Sequence, residues 1–198
     1  MKKTLFIFLL LISFGCKKVS ETDRVVKNGI IYYKDTTDLI IRDYEENESL
    51  ILEAIELTNN NEPNKAILKF NQAEKKYGDR LSIFINRGFC FDMIGERKKA
   101  IDDFTKCLEI KDDYFVALQN RGLSYMHSKQ YDKSLIDFNK AIEVNPSESA
   151  GYLNRALLHA RMKKIDKCCS DAKKSIELGF VEKYNNEMPQ NLLGKYCK

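Results

Sequence analysis

Asn86-Arg87-Gly88 returns 34 residues later as Asn120-Arg121-Gly122, and after another 34 as Asn154-Arg155-Ala156. A fixed period of this length is the signature of a stacked repeat array, in which each unit buries its apolar face only against its neighbours. A second register runs through the same units. Each Arg is followed sixteen residues on by an Asp: Arg87 by Asp103, Arg121 by Asp137 and Arg155 by Asp171. The spacing puts the two on facing helices of one unit, where a bidentate ion pair is expected. We read the six as an internal ladder, not as a row of cations for an anionic ligand, because each Asp consumes its guanidinium.

Taking the glycine as the eighth residue divides the array into units 47–80, 81–114, 115–148 and 149–182. Breaks fall where this register needs them. Gly95-Glu96 and Ser128-Lys129-Gln130 separate paired helices. Asn145-Pro146-Ser147 ends a second helix, since proline cannot continue one. Small residues at the eighth, twentieth and twenty-seventh places let two antiparallel helices approach, and large ones at the fourth, eleventh and twenty-fourth fill between them.

At this register the chain resembles the tetratricopeptide repeat family. Unit three carries Leu118, Gly122, Tyr125, Phe138, Ala141 and Pro146, and unit two carries Phe84, Gly88, Phe91, Ala100 and Phe104. Units one and four follow the pattern less closely. The resemblance implies an all-α, right-handed superhelical solenoid of about four antiparallel helix pairs, spanning 47–182, with a C-terminal cap over 183–198. It also implies that the first helices line a concave groove. The groove residues are then Ile51, Ile55, Ile85, Asn86, Phe89, Met93, Gln119, Asn120, Leu123, Met126, Leu153, Asn154 and Leu157. The places where chaperone-binding relatives clamp a carboxylate hold Ile51, Ile55, Ile85 and Phe89, so no such clamp is expected. An apolar groove with Met and Phe suits an amphipathic helix or apolar peptide of a protein partner. The competing reading is a structural or assembly factor whose groove its own tether covers.

The amino terminus has a different character. Lys2 and Lys3 precede an apolar run from Leu5 to Phe14, too short for a bilayer, which needs about 20 residues. Ser13-Phe14-Gly15-Cys16 resembles the lipobox of bacterial lipoproteins. That implies a signal peptide over 1–15, lipidation of Cys16 and a place in the cell envelope, tethered to a membrane. Lys17, in place of the Asp that favours the inner membrane, leans to the outer membrane facing the periplasm. Residues 16–46 are the tether. Within it Asn28-Gly29, between β-branched residues, signals a short hairpin.

In an exported chain disulfides form. Cys168 and Cys169 are both candidates to reach Cys197 near the carboxyl end. A Cys169–Cys197 staple is the pairing implied by likeness to repeat lipoproteins. Cys90 and Cys107 are read as buried thiols. In the cap, Pro189 opens a short helix with Leu192, Leu193 and Tyr196 on one face.

Composition excludes several function classes. The formal charge is +4 with Lys and Glu interspersed, and no basic stripe carries the aromatics that nucleic-acid binding needs. No phosphate loop, nucleophile elbow or metal motif occurs, so neither catalysis nor a cofactor nor a metal is expected. Asp35, Asp38 and Asp43 are read as solvated tether. His127 and His159 stand far from any cysteine pair.

Overall fold

The computed structural model describes residues 24–27, 30–33 and 49–197. The expected signal peptide, Cys16 and the three tether aspartates lie outside the described residues. Strands β1 (Arg24–Lys27) and β2 (Ile30–Tyr33) pair antiparallel, Arg24 opposite Tyr33 and Lys27 opposite Ile30. They flank the Asn28-Gly29 signal, as a two-residue hairpin connection requires.

Four helix pairs follow. They are α1 (Ser49–Asn59) with α2 (Pro63–Tyr77), and α3 (Leu81–Met93) with α4 (Arg97–Ile110). Then come α5 (Phe115–His127) with α6 (Tyr131–Val144), and α7 (Ser149–Arg161) with α8 (Ile165–Glu177). Each helix packs on the next, and each first helix also meets the first helix of the next unit. The result is a solenoid of antiparallel pairs.

Two local devices set the pairing. Where paired helices join, the fifteenth residue takes the left-handed conformation in every unit: Asn61, Gly95, Lys129 and Lys163, with φ between 58° and 85°. Where paired helices cross, glycine gives the room. A Cβ on Gly88 would stand 2.7 Å from the Phe104 ring, and one on Gly122 would stand 2.6 Å from the Phe138 ring. Both rings are fully buried and have nowhere to retreat. In unit four Ala172 takes the place of that ring, and Phe180 of the cap joins Ala156 and Ala172 in the core.

The cap differs from the expected single helix after 182. It is two helices, α9 (Phe180–Tyr184) and α10 (Met188–Tyr196), both packed on α8. Gly179, at φ 76°, turns the chain sharply. The Phe180 and Tyr184 rings then lie 4.7 Å apart and close the end of the array. An array end left open would expose its apolar face. Cys169 is bonded to Cys197, tying α8 to the end of α10, while Cys90, Cys107 and Cys168 are buried thiols outside any disulfide. No helix among the described residues is long and apolar enough to cross a membrane.

Candidate functional site

The predicted groove residues fall on the first helices: Ile51 and Ile55 on α1, Ile85, Asn86, Phe89 and Met93 on α3, Gln119, Asn120, Leu123 and Met126 on α5, and Leu153, Asn154 and Leu157 on α7. They do not make the open groove that the pattern implies: Ile51, Ile55 and Ile85 are part of the core of the first units, and Leu153 of the core at the carboxyl end. Only Met93 and Leu157 are half-buried; the other eleven are buried. Two causes are visible. Phe89, Leu123 and Met126 belong to a core cluster with Phe138 and Leu158, so part of the face is interior packing between units. Strand β2 also lies against α5.

The asparagines that opened the sequence pattern behave differently from one another. Asn86 donates to the Ser82 carbonyl within its own helix, at 2.9 Å. Asn154 donates to Gln119 Oε1 across the α5–α7 contact, at 2.7 Å. That leaves Gln119 Nε2 and Asn154 Oδ1 buried without partners. A buried amide donor or acceptor left unmade costs about 1–3 kcal/mol, so the α5–α7 contact carries a local cost in stability.

A second lateral link joins first helices. Asp92 accepts from the Ser124 hydroxyl at 3.1 Å, and Thr58 Oγ1 lies 3.2 Å from Cys90 Sγ. Thr58 and Asp92 stand at the twelfth place and reach the tenth place of the following unit. Their side chains serve the stack rather than the groove.

On the opposite side of the first helices runs the ladder. Arg87 donates to both carboxylate oxygens of Asp103 at 2.8 Å, Arg121 to those of Asp137 at 2.9 and 2.8 Å, and Arg155 to those of Asp171 at 2.8 and 2.7 Å. The remaining nitrogen of each guanidinium turns backwards. Arg87 meets Asn71, Arg121 meets Thr105 and Arg155 meets Asn139, at 2.7, 3.2 and 2.8 Å. These acceptors lie sixteen residues before each Arg, on the second helix of the preceding unit. The rung therefore spans two units. Their own 34-residue spacing was visible in the sequence, but only the geometry gives it meaning.

The electrostatics follow from this packing. Burial pushes the Asp103 and Asp137 carboxyls up, against the pull of their arginines. Burial also opposes the Arg87 charge, but the hydrogen bonds it donates to Asp103 and Glu74 outweigh it and raise its pKa. Hydrogen bonding to Arg87 holds Glu74 below the usual carboxylate range, with Lys106 adding at 3.0 Å. His159 is buried beside Asp171, at 3.7 Å, and burial lowers its pKa despite that carboxylate. Burial likewise raises the Cys168 thiol. No group of three or more His, Cys, Asp or Glu side chains able to hold a metal ion occurs among the described residues.

A family model for the tetratricopeptide repeat matches residues 115–148, which is unit three. Among curated proteins none matches the chain. Solved structures do. A tetratricopeptide repeat protein from Parabacteroides merdae is 21% identical, over 79% of this chain and 62% of its own, with a TM-score of 0.66. MamA from Desulfovibrio magneticus is 15% identical, over 77% and 94%, with a TM-score of 0.64. The first tetratricopeptide domain of Spaghetti (RPAP3), bound to the HSP90 peptide SRMEEVD, is 24% identical, over 59% and 89%, with a TM-score of 0.54. Unit three is thus a tetratricopeptide repeat by sequence, and the array built around it has the fold of solved tetratricopeptide proteins.

Proposed function

We propose that this chain is a non-enzymatic interaction scaffold, exported and lipid-anchored through Cys16, that holds a segment of a protein partner on the concave face of its first helices. The observation that carries the reading is the face itself. Its accessible apolar members are Met93 on α3 and Leu157 on α7, both half-buried and packed at the edge of the core. A repeat array supplies such a surface without catalytic machinery, and the RPAP3 domain of the same fold holds a peptide. Location follows the lipobox-like stretch: the bacterial envelope, with Lys17 favouring the outer membrane and the array facing the periplasm.

Photo-crosslinkers at Met93 and Leu157, the half-buried members of the face, are expected to trap a partner in whole envelopes. Crosslinkers at Leu68 and Ile136, exposed on second helices, serve as controls. Capture only from the controls would sink the concave-face reading. Cys16→Ser is expected to release the chain from membranes; unchanged fractionation would remove the anchor from the account.

A second reading has its own support. β2 against α5 favours an assembly factor whose concave face is covered by its own tether. Substitutions on the face would then lower the melting temperature and leave partner capture unchanged.

A further inference from the structure

Helix α10 packs on α8, and between it and α7 lies a cavity of about 370 Å³. That is the small end of the range for ligand pockets, about 300–1,000 Å³, and suits one or two large side chains. The apolar lining is Leu157 of α7 with Met188, Leu192 and Tyr196 of α10. All four belong to the core at the carboxyl end or pack against it, so the lining is in place before a ligand arrives. The Cys169–Cys197 bond holds the end of α10, beside Tyr196, to α8.

The polar lining has one sign of charge. Arg161 of α7 and Lys195 of α10 are both exposed, and no Asp or Glu lines the cavity. Arg161 differs from the arginines of the ladder. Its guanidinium meets the Met126 thioether, a weak acceptor, at 3.4 Å, and no carboxylate among the described residues. Lys195 lies over the Tyr196 ring, 5.0 Å from its centroid, and likewise meets no carboxylate among the described residues. A carboxylate set between the two gains charge-assisted hydrogen bonds from both. Two cations are too few for a nucleic-acid backbone. An uncharged helix would fill the apolar floor and leave both cations without a counter-ion. A protein segment that carries leucine or phenylalanine beside an acid meets both demands.

We propose that the cavity between α7 and α10 seats an apolar side chain of a protein partner, with a neighbouring Asp or Glu of that partner held by Arg161 and Lys195. This rests on the partner reading above, whose face includes Leu157, and names the chemistry of the segment.

The test uses the full chain carrying Cys16→Ser and a library of random short peptides displayed on phage. Selected peptides are expected to share a large apolar residue beside an acid. The tightest of them, made with a fluorophore, is expected to lose about tenfold in affinity to Arg161→Glu and to Lys195→Glu. Leu157→Ala is expected to weaken it several-fold. In the chain with both charges reversed, a peptide with Lys in place of its acid is expected to regain binding, which general destabilisation cannot produce. Both cations are exposed, and unchanged melting temperatures verify that the variants stay folded. No selected binder, binders without an acid, or affinities indifferent to both charge reversals would overturn the proposal. So would a gain in peptide affinity on changing the tether acids Asp35, Asp38 and Asp43 to Asn, which would make the tether the occupant. A dimer in light scattering that Arg161→Glu dissolves would put a second copy there instead. The envelope crosslinks decide the wider reading separately. Capture through Met93 without an acid consensus keeps the concave-face partner and removes this seat; an acid consensus without that capture does the reverse.

Discussion

Arg121 holds both oxygens of Asp137 across its own helix pair and, with its third nitrogen, the hydroxyl of Thr105 in the unit before. One side chain thus joins three helices. Removing the carboxylate strands a largely desolvated guanidinium. Asp137→Ala is expected to cost about 3 kcal/mol, and Arg121→Met a similar amount. The double variant should lose less than the sum, with a coupling of about 1–2 kcal/mol in urea unfolding. Zero coupling would show that the arginines stand free for ligands.

The contribution of Thr105 is separable. Thr105→Val keeps the shape and removes the backward acceptor. It is expected to cost roughly 1 kcal/mol. Because it acts between units, it should also broaden the unfolding transition, as a weaker interface between repeats uncouples them. A single sharp transition of unchanged slope would confine the rung to one unit.

Most of this architecture was readable because repetition multiplies weak signals. One Asn-Arg-Gly says little; three at a fixed spacing set the register, and the register fixed helix pairs, crossings and ion pairs. Three features resisted. The two-helix cap did, because Phe180 is a core residue only by replacing a ring that unit four lacks. The contact of the hairpin with α5 did, because a hairpin signal gives a local turn and does not say which helix the hairpin meets. The link from Arg155 to Asn139 was also hidden: an Asn on a second helix looks like solvated surface until the next unit is stacked upon it.

Glycine at the helix crossing is a steric requirement. Gly122→Ala puts a methyl 2.6 Å from Phe138 Cε1, inside a core that cannot yield. It is expected to destabilise by about 1–3 kcal/mol. In the Phe138→Leu background the same change should cost less, since the branched side chain withdraws from the crossing. Additive losses would place the strain elsewhere. Gly194→Ala is the contrasting case. Its Cβ meets nothing within 4 Å, and a gain of roughly 0.5–1 kcal/mol is expected from the helix interior.

His159 makes the stability of unit four depend on pH. Burial lowers its pKa from the ordinary 6.5. The unfolded chain therefore takes up the proton first, and the native state is penalised as pH falls below about 6.5. The contribution of His159 is complete above that value and is lost on acidification towards its folded pKa. Melting temperatures between pH 7.5 and 5 should fall less steeply in His159→Gln than in the unaltered chain. Parallel curves would assign the slope to other groups.

The Cys169–Cys197 bond closes a loop with a sequence separation of 28, between α8 and the last turn of the cap. In the chain-entropy model a loop of this size contributes roughly 3–4 kcal/mol. Cys197→Ser should lose stability of that order, and the loss should begin locally. Leu192 and Tyr184 bury the end of the array only while α9 and α10 stay docked on α8. Hydrogen exchange in the variant should therefore rise first in 180–196 and then in α8, with α3 and α5 protected as before. Cys168 lies beside the bond as a buried thiol with a raised pKa, a poor attacker in exchange. The bond should for that reason not migrate to Cys168 in the intact chain; finding Cys168–Cys197 by peptide mapping under mild oxidation would show that the cap opens far more readily than its packing implies.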